Sequence, residues 1–504
     1  MEIISKINNK RQIMSDNSFL NQIINNDELS DIKNDMKNGE NYWKGKHDIL
    51  KVNFRQYKDA HGNIRQNNAR SNYKISHAFH KLLVTQKVGF IAGNPIVVST
   101  KDEEFQQYLN KFLKFDFDDI MCQWLTESSN KGVGFLHFFY DGSVTKDGKP
   151  KLKFAIIPAE QIIPIYDNEF QREIVELIRY YTFTALDKNG EKVTRHKVEW
   201  WTSKDVTYYI EDTEEKDVYK LDQNYKINPA PHWLTYNTNR PTLIKSNNWG
   251  KVPFVELSNN DFKENDLKNI KPLIDSYDLI ESESINQIAD IREVLIKVMG
   301  YSGSTAAEIL EGFRANGVVK IDDQNGQIDV IKTEIPTEAR TVQLKRLEKN
   351  IYKIGMGVDL SIDNFGGQTS GIALKFLYEN LNLKSNIAIR KLQKSLYEFS
   401  WFITDDYNRK YEKNVDFEDI KYTITKAMLV NDAELINSLR LSKGIISDKT
   451  ITERHPYAEN DENERLKEEE QESYGALDER FNKMNEFRTS LVEESVKDDE
   501  KGDK

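Results

Sequence analysis

Apolar positions along this chain follow two periods, and the most sustained helical one lies in its last third. Leu377, Leu381, Ala388, Leu392, Leu396, Phe399 and Ile403 recur at intervals of three, four or seven residues, the period of one helix face. No proline interrupts that run and Ser370 is placed to cap it, so the pattern predicts a helix over 372–404. Lys384, Arg390, Lys391 and Lys394 fall on its polar sides. Ahead of it, 355–371 (GMGVDLSIDNFGGQTSG) is polar and punctuated by glycine, which predicts a loop. On local pattern alone that loop reads as a connector between helices.

Two further helical patterns precede the loop. In 271–300 (KPLIDSYDLIESESINQIADIREVLIKVMG), Pro272 suits a first helical turn. Ile288, Ile291, Leu295 and Val298 form a narrow seam, and the opposite face is dense in Asp, Glu and Ser. The expectation is a helix of about 28 residues, roughly 40 Å long. Pro336 opens a second helix, PTEARTVQLKRLEKNIYKIG, ending at Gly355. Between them, 301–335 holds a small helix and two strand-like pieces, 317–322 and 327–332, joined across Gln324-Asn325-Gly326. A compact unit is thus inserted between two long helices, which are expected to run antiparallel.

The first half of the chain changes period. Residues 72–90 put Ile75, Phe79, Leu82, Leu83 and Val88 on a helical stripe that Gly89 and Gly93-Asn94-Pro95 end. A strand at 96–98 and a helix over 103–128 follow. Strands are predicted near 133–140, 151–157, 174–184, 196–202 and 206–210, separated by Asp141-Gly142, Asp147-Gly148 and Asn189-Gly190. Residues 222–252, with Pro229, Pro231 and Pro241, read as a long loop, and 252–257 as a closing strand. Residues 1–40 carry only weak helical pattern and read as a loosely attached arm. Past 405 come a strand candidate at 417–425 and helices at 431–443, 447–453 and 460–472, with Gly444 as a stop. The fold class is α+β, and no internal repeat is visible.

Charge and composition narrow the function. The chain of 504 residues carries a formal charge of −11, yet residues 459–504 hold 17 acidic against 8 basic side chains and account for −9 of it. The body is therefore nearly neutral, and the acidic tail reads as disordered after Glu472. A single cysteine, Cys122, rules out internal disulfides and cysteine-rich zinc sites. No run approaches eighteen apolar residues and the first thirty lack a signal-peptide core, so no membrane span is expected. FGGQTSG lacks the lysine of a phosphate-binding loop. His77 and His80 stand one helical turn apart without a third ligand nearby, and read as ordinary helix histidines. Gly-x-Gly at 132–134 and 355–357 lacks the rest of a dinucleotide fingerprint, and Asp322-Asp323 and Asp405-Asp406 read as solvated turns. Nothing points to an enzyme or a cofactor.

The order of parts resembles the portal proteins of tailed bacteriophages, of the type common in long-tailed phages of Gram-positive bacteria. The residues carrying the match are NYKISHAFHKLLVTQKVGFIAGNPI (72–96), WGKVPFVELSNN (249–260), KPLIDSYDLIESESINQIADIRE (271–293) and EIPTEAR (334–340). To these add GVDLSIDNFGGQTSGIALKFLY (357–378) and GIISDKTITE (444–453). The resemblance implies a portal-type fold: an arm (1–40), a hairpin-rich wing (41–260), stem helices (261–300 and 336–356) and a small clip (301–335). A tunnel loop (357–371), a tunnel helix with a wing strand (372–430), a helical crown (431–472) and an acidic tail (473–504) complete it. It implies a ring of about twelve subunits at one capsid vertex, assembled in the host cytoplasm, through which double-stranded DNA is packaged and ejected. Partners implied are the terminase large subunit, the head–tail connector or adaptor, scaffold and major capsid protein, with no membrane.

Carried onto this chain, Asp363, Asn364, Phe365, Gly366, Gly367, Gln368 and Thr369 fall in the tunnel loop. Asp322, Asp323, Gln324 and Asn325 fall in the clip that would meet terminase and connector. A channel must hold DNA without gripping it, because each phosphate neutralised by Lys or Arg adds salt-dependent affinity. Asn364, Gln368 and Thr369 offer weak contacts, and Asp363 repels phosphate. Lys375, Lys384, Arg390 and Lys391 form either a basic channel ring or salt bridges between subunits. Gly355, Gly357, Gly366 and Gly367 are expected to let the loop shift. The alternative function is a phage structural or adaptor protein that never touches DNA.

Overall fold

The computed structural model describes residues 17–290 except 69, 115, 146–147, 168, 171, 187–190, 213–217 and 238–239. It further describes 295–299, 305, 327–331, 337–359, 371–427 and 432–453, with scattered positions beyond. The chain divides into two units, Met1–Asn364 with Leu377–Ala427, and Phe365–Phe376 with Met428–Lys504.

In the larger unit the predicted strands form as Val133–Val144, Pro150–Ile157, Ile174–Leu186, Lys192–Trp201 and Asp205–Glu211. Val133–Val144 lies between Pro150–Ile157 and Phe254–Ser258 in a three-stranded sheet. The closing strand therefore returns to the first, pairing Phe254 with His137 and Ser258 with Val133. A second antiparallel sheet orders Tyr219–Leu221, Asp205–Glu211, Lys192–Trp201, Ile174–Leu186 and Ile162–Tyr166, with Ala230–Pro231 paired beside it. Ile162–Tyr166 was not legible as a strand because Pro164 sits in it; at a sheet edge that proline removes no needed ladder bond. The expected loop 222–252 contains a hairpin, Trp233–Asn237 with Arg240–Asn247. The expected helix 103–128 is two, Glu103–Leu113 and Asp116–Lys131, broken at Lys114, whose φ is +36°.

The helix predicted from 372 runs Gly371–Tyr411, 41 residues, about 60 Å at ~1.5 Å per residue. Its predicted stripe faces inward: Leu392, Leu396, Phe399 and Ile403 are buried against the three-stranded sheet and the Asp116–Lys131 helix. Phe138 stacks on Phe402 at 4.5 Å between ring centroids and lies 5.2 Å from Phe399. Each such side chain contributes about 1.5–3 kcal/mol of burial. Asp406, expected in a solvated turn, instead sits buried near the end of this helix. It accepts from Tyr108 Oη at 2.7 Å, Tyr140 Oη at 2.5 Å and Lys410 Nζ at 2.5 Å.

The stretch expected as a loosely attached arm holds two docked helices, Asn17–Glu28 and Asp31–Trp43. Leu20 and Ile24 pack with Ile178 and Val198, and Met36 with Phe135 and Leu177. Their pattern looked weak because the inward positions include a lysine and a glycine. Buried Lys33 donates to the carbonyls of Ala159 and Ile162, and a Cβ on Gly39 would meet the Asn130 carbonyl at 1.8 Å.

Two long helices, Lys271–Asp290 and Thr337–Gly355, pack antiparallel. Arg340 reaches Ser284 and Gln287 at one end, while Ile351 and Tyr352 cluster with Ile274 and Tyr277 at the other. The helix expected over 271–300 is corrected here. Leu295–Met299 is a strand, antiparallel to Gln327–Ile331, so Leu295 and Val298 belong to a sheet rather than a helical seam. The run Val-Leu-Ile-Lys-Val-Met is rich in β-branched residues, and a short apolar run does not discriminate the two by period. The 317–322 piece lies outside the described residues.

In the smaller unit, helices Asp432–Leu441 and Asp448–Glu453 flank Gly444, whose φ of +86° suits the predicted stop. Ser447 Oγ accepts the Thr450 N–H at 3.3 Å. Most of 460–472 lies outside the described residues.

Candidate nucleic-acid interface

The loop residues Asp363 to Thr369 lie outside the described residues, but both approaches to the loop are defined. The Thr337–Gly355 helix closes with a Schellman turn: Gly357 N–H donates to Tyr352 C=O at 3.0 Å and Met356 N–H to Lys353 C=O at 3.4 Å. The left-handed position is Met356, φ +56°, not either neighbouring glycine. A Cβ on Gly355 would meet Leu83 Cδ1 at 2.6 Å, and one on Gly357 would meet Leu83 Cδ2 at 2.1 Å. These two glycines therefore permit close packing on the Phe79–Ala92 helix rather than hinging the loop, which corrects that expectation for Gly355 and Gly357. One turn along that helix, Gln86 holds the next residue by both edges. Its Nε2 donates to Val358 C=O at 2.7 Å and its Oε1 accepts Val358 N–H at 3.0 Å. One turn further, Phe90 stacks on Tyr378 at 5.9 Å and clusters with Val358 and Leu381. Leu83, Gln86 and Phe90 share one helix face.

The basic residues separate into different roles. Lys384 Nζ lies 3.1 Å from Asp266 Oδ2 and donates to Gly355 C=O at 3.0 Å, so its charge is engaged within the chain. Asp266 also pairs with buried Lys87 at 3.1 Å, and Lys87 donates to Ser129 Oγ and Asn259 Oδ1. Burial would raise the Asp266 carboxyl, but the Lys384 and Lys87 ammonium groups and Asn259 outweigh it and hold it well below the usual carboxylate range. Burial pushes Lys87 down to about 8 against the pull of Asp266. Lys391 pairs with exposed Asp261, whereas Arg390 is exposed on the long helix. The Lys375 side chain lies outside the described residues, as do Asp322, Asp323, Gln324 and Asn325 of the expected clip.

A second polar assembly was not anticipated. Residues 71–77, expected as the start of a helix, are extended ahead of Phe79–Ala92 and dock on the Lys271–Asp290 helix. Backbone N–H groups of Ser71, Tyr73, Ile75 and His77 donate to Asp290 Oδ1, Asn286 Oδ1, Ser282 Oγ and Asp278 Oδ1 at 2.7–2.9 Å. Two residues of extended chain advance about 6.6 Å and four of helix about 6.0 Å, so every second residue meets every fourth. Asn286 Nδ2 also returns a bond to Tyr73 C=O at 2.9 Å. Asp278, Ser282 and Asn286 are buried, while Leu279, Ile285 and Ile288 of the same helix are exposed. The Asp/Glu/Ser-rich face is thus partly the docking face, and its sequence signal is the spacing of four from 278 to 290. Asp278 further bonds His47 Nδ1 at 2.7 Å and His77 Nδ1 at 2.8 Å. Burial would raise its carboxyl, but the histidine contacts hold it below the usual range.

His77 and His80 do not converge. His80 is buried with Nε2 on Asn130 Oδ1 at 3.0 Å, and burial pushes it down to about 4. Among the described residues no cluster of three or more His, Cys, Asp or Glu is placed to hold a metal. Among them, too, no helix is long and apolar enough to cross a membrane.

Two portal proteins are similar along most of this chain. That of Bacillus phage SPP1 is 31% identical over 469 residues, 92% of this chain and 86% of the relative. That of Clostridium phage phiCD119 is 29% identical over 430 residues, 83% of this chain and 88% of the relative. The family described as phage portal protein, SPP1 Gp6-like, matches residues 22–475, from the first docked helix through both long helices to the smaller unit. The chain belongs to that family of phage portal proteins.

Proposed function

We infer that copies of this chain close into a ring of about twelve at one capsid vertex of a phage particle, with double-stranded DNA passing through its centre. The observation that carries this reading is the family match across residues 22–475. In this reading Lys271–Asp290 and Thr337–Gly355 are the stem. The sheet Leu295–Met299 with Gln327–Ile331 belongs to the clip, whose Asp322 to Asn325 meet terminase and then the head–tail connector. Scaffold and major capsid protein surround the ring. Exposed Ile285 and Ile288, neighbours three residues apart on a stem helix, fit a heterologous contact with the next subunit.

Residues 357–371 are the tunnel loop in the same reading. Asn364, Gln368 and Thr369 touch DNA weakly, Asp363 repels phosphate, and Gly366 and Gly367 supply the compliance that Gly355 and Gly357 do not. Of the basic set, exposed Arg390 is the favoured channel contact, with Lys375 and Lys391 second. Lys384 serves as an internal tie. The protein acts as a conduit rather than an enzyme, and its contacts carry no base information because they reach phosphates only.

Negative-stain imaging of the purified chain is expected to show rings with a hole wide enough for a duplex. Replacing Gly366 and Gly367 together with alanine should leave rings intact and lower the amount of DNase-protected DNA in particles. Monomers or dimers at high concentration would overturn the ring, and normal packaging by the double variant would overturn the loop assignment.

A further inference from the structure

We propose that the side-chain amide of Gln86 is the positioning residue that fixes where the tunnel loop leaves the body of the subunit; this rests on the loop reading above. The loop's incoming flank ends at Val358, which is buried, and its outgoing flank reaches the body at Tyr378 and Leu381. Both flanks meet one face of the Phe79–Ala92 helix. Leu83 fills the space the two glycines leave, Phe90 stacks on Tyr378, and Gln86 stands between them. Apolar packing at Leu83 and Phe90 holds the flanks near the helix but leaves them free to slide, because such contacts have no direction. The amide adds direction. By donating to one backbone group of Val358 and accepting from the other, it reproduces the paired bonds of a β-bridge and fixes both the height and the rotation of that residue.

Chain on the near side is equally fixed, through the Schellman turn and through Lys384 on the Gly355 carbonyl. Gln86 thus holds the backbone of Val358 at the start of the loop. A loop that offers only weak contacts to DNA depends on its starting point, since an offset at its base is carried to every subunit of a ring. The side chain has no charge to attract DNA and no part in the apolar core, so its chemistry is spent on Val358.

The test uses rings of the full chain carrying Gln86→Met, which keeps length and loses both bonds, and Gln86→Glu, which keeps only the acceptor. Rings are expected at wild-type yield for both. Hydrogen exchange at the Val358 amide should speed up about tenfold in Gln86→Met, the equivalent of one lost hydrogen bond, and less in Gln86→Glu. DNase-protected DNA per particle, in a phage lacking its own portal gene and complemented by each variant, should fall in the same order. Unchanged exchange in Gln86→Met, or faster exchange with normal packaging, overturns the proposal. Loss of rings in both variants makes the amide a folding contact and overturns it too. A parallel Asn364→Ala, Gln368→Ala, Thr369→Ala triple variant tests the loop reading separately: normal packaging there removes the loop's role without touching the exchange result.

Discussion

The aromatic core under the three-stranded sheet and the junction of the two long antiparallel helices are held by different mixtures of contact. Around Phe138, Phe399 and Phe402 the long helix is fixed by interlocking rings and aliphatic side chains, with Asp406 the main buried charge. At the junction a smaller apolar cluster, with Tyr42, Phe79, Leu83, Ile274 and Ile351, is interleaved with buried Asp278, Ser282, Asn286, His47, His80, Lys87 and Asp266. Apolar packing tolerates any side chain of about the right volume. A buried hydrogen bond accepts one geometry and penalises its loss with the full desolvation of the orphaned partner. The aromatic core thus supplies mainly stability, and the polar contacts of the junction add a single register between the extended 71–77 segment, the two long helices and the loop flanks.

Asp278 gives the sharpest break between the two. Asp278→Ala leaves the His77 backbone N–H and two imidazole nitrogens without their acceptor, and should cost about 3–5 kcal/mol, as removing one partner of a buried charged contact does. Asp278→Leu, which restores volume, should do no better. Denaturant unfolding of the two variants measures this, and recovery by leucine would mean that volume, not register, governs the junction. Next in size is Asn286→Leu, which orphans both the N–H and the C=O of Tyr73. About 2–4 kcal/mol is expected, at about 1–3 per unsatisfied group with partial relief by water. Hydrogen exchange at Tyr73 should rise while Ser71 and His77, held by their own rungs, change less. The matching change in the aromatic core, Leu396→Met, should cost under about 1.5 kcal/mol despite complete burial.

The same division explains what could be read from the sequence. The stripe from Leu381 to Ile403 and the five strands between Val133 and Glu211 were legible because apolar residues at a fixed period report a face directly. The docked helix Asp31–Trp43 was not, because Lys33 and Gly39 occupy inward positions and neither counts as apolar. The 71–77 strap was read as helix because Ile75 falls in phase with Phe79. Its true partner is a row of polar residues 201 to 219 positions later in the chain, which a local period does not link. Gly355 and Gly357 looked like hinges because glycine permits flexibility and close approach alike, and only Leu83 in three dimensions decides which. Leu295 and Val298 matched a helical seam by accident of spacing within a short β-branched run.

The smallest effect at neutral pH, and the one that separates the regions by slope rather than level, is titration. Each region holds a histidine that burial pushes down: His80 at the junction, to about 4, and His137 on the three-stranded sheet, to about 3 despite its bond to the Pro253 carbonyl. Both start from an ordinary value of 6.5 and stay neutral when folded. Below 6.5 the unfolded chain takes up a proton that the folded chain refuses, so stability falls with falling pH until the folded value is reached. Near pH 7 neither contributes a slope. Between pH 6.5 and 4 each removes up to roughly 3 kcal/mol, at about 1.4 per unit. Asp278 acts later: its stabilisation is intact above the ordinary 3.8 and is lost as pH falls through the depressed folded value. His137→Phe, which keeps the stacking on Phe254 at 4.2 Å between ring centroids, should therefore flatten the stability profile between pH 6.5 and 4 by one proton's worth. It should also lower the whole curve by about 1 kcal/mol for the lost bond to Pro253. A variant profile parallel to the wild type would show that His137 titrates normally in the folded sheet. A loss of slope confined to His80→Gln would place the acid-sensitive step at the junction alone.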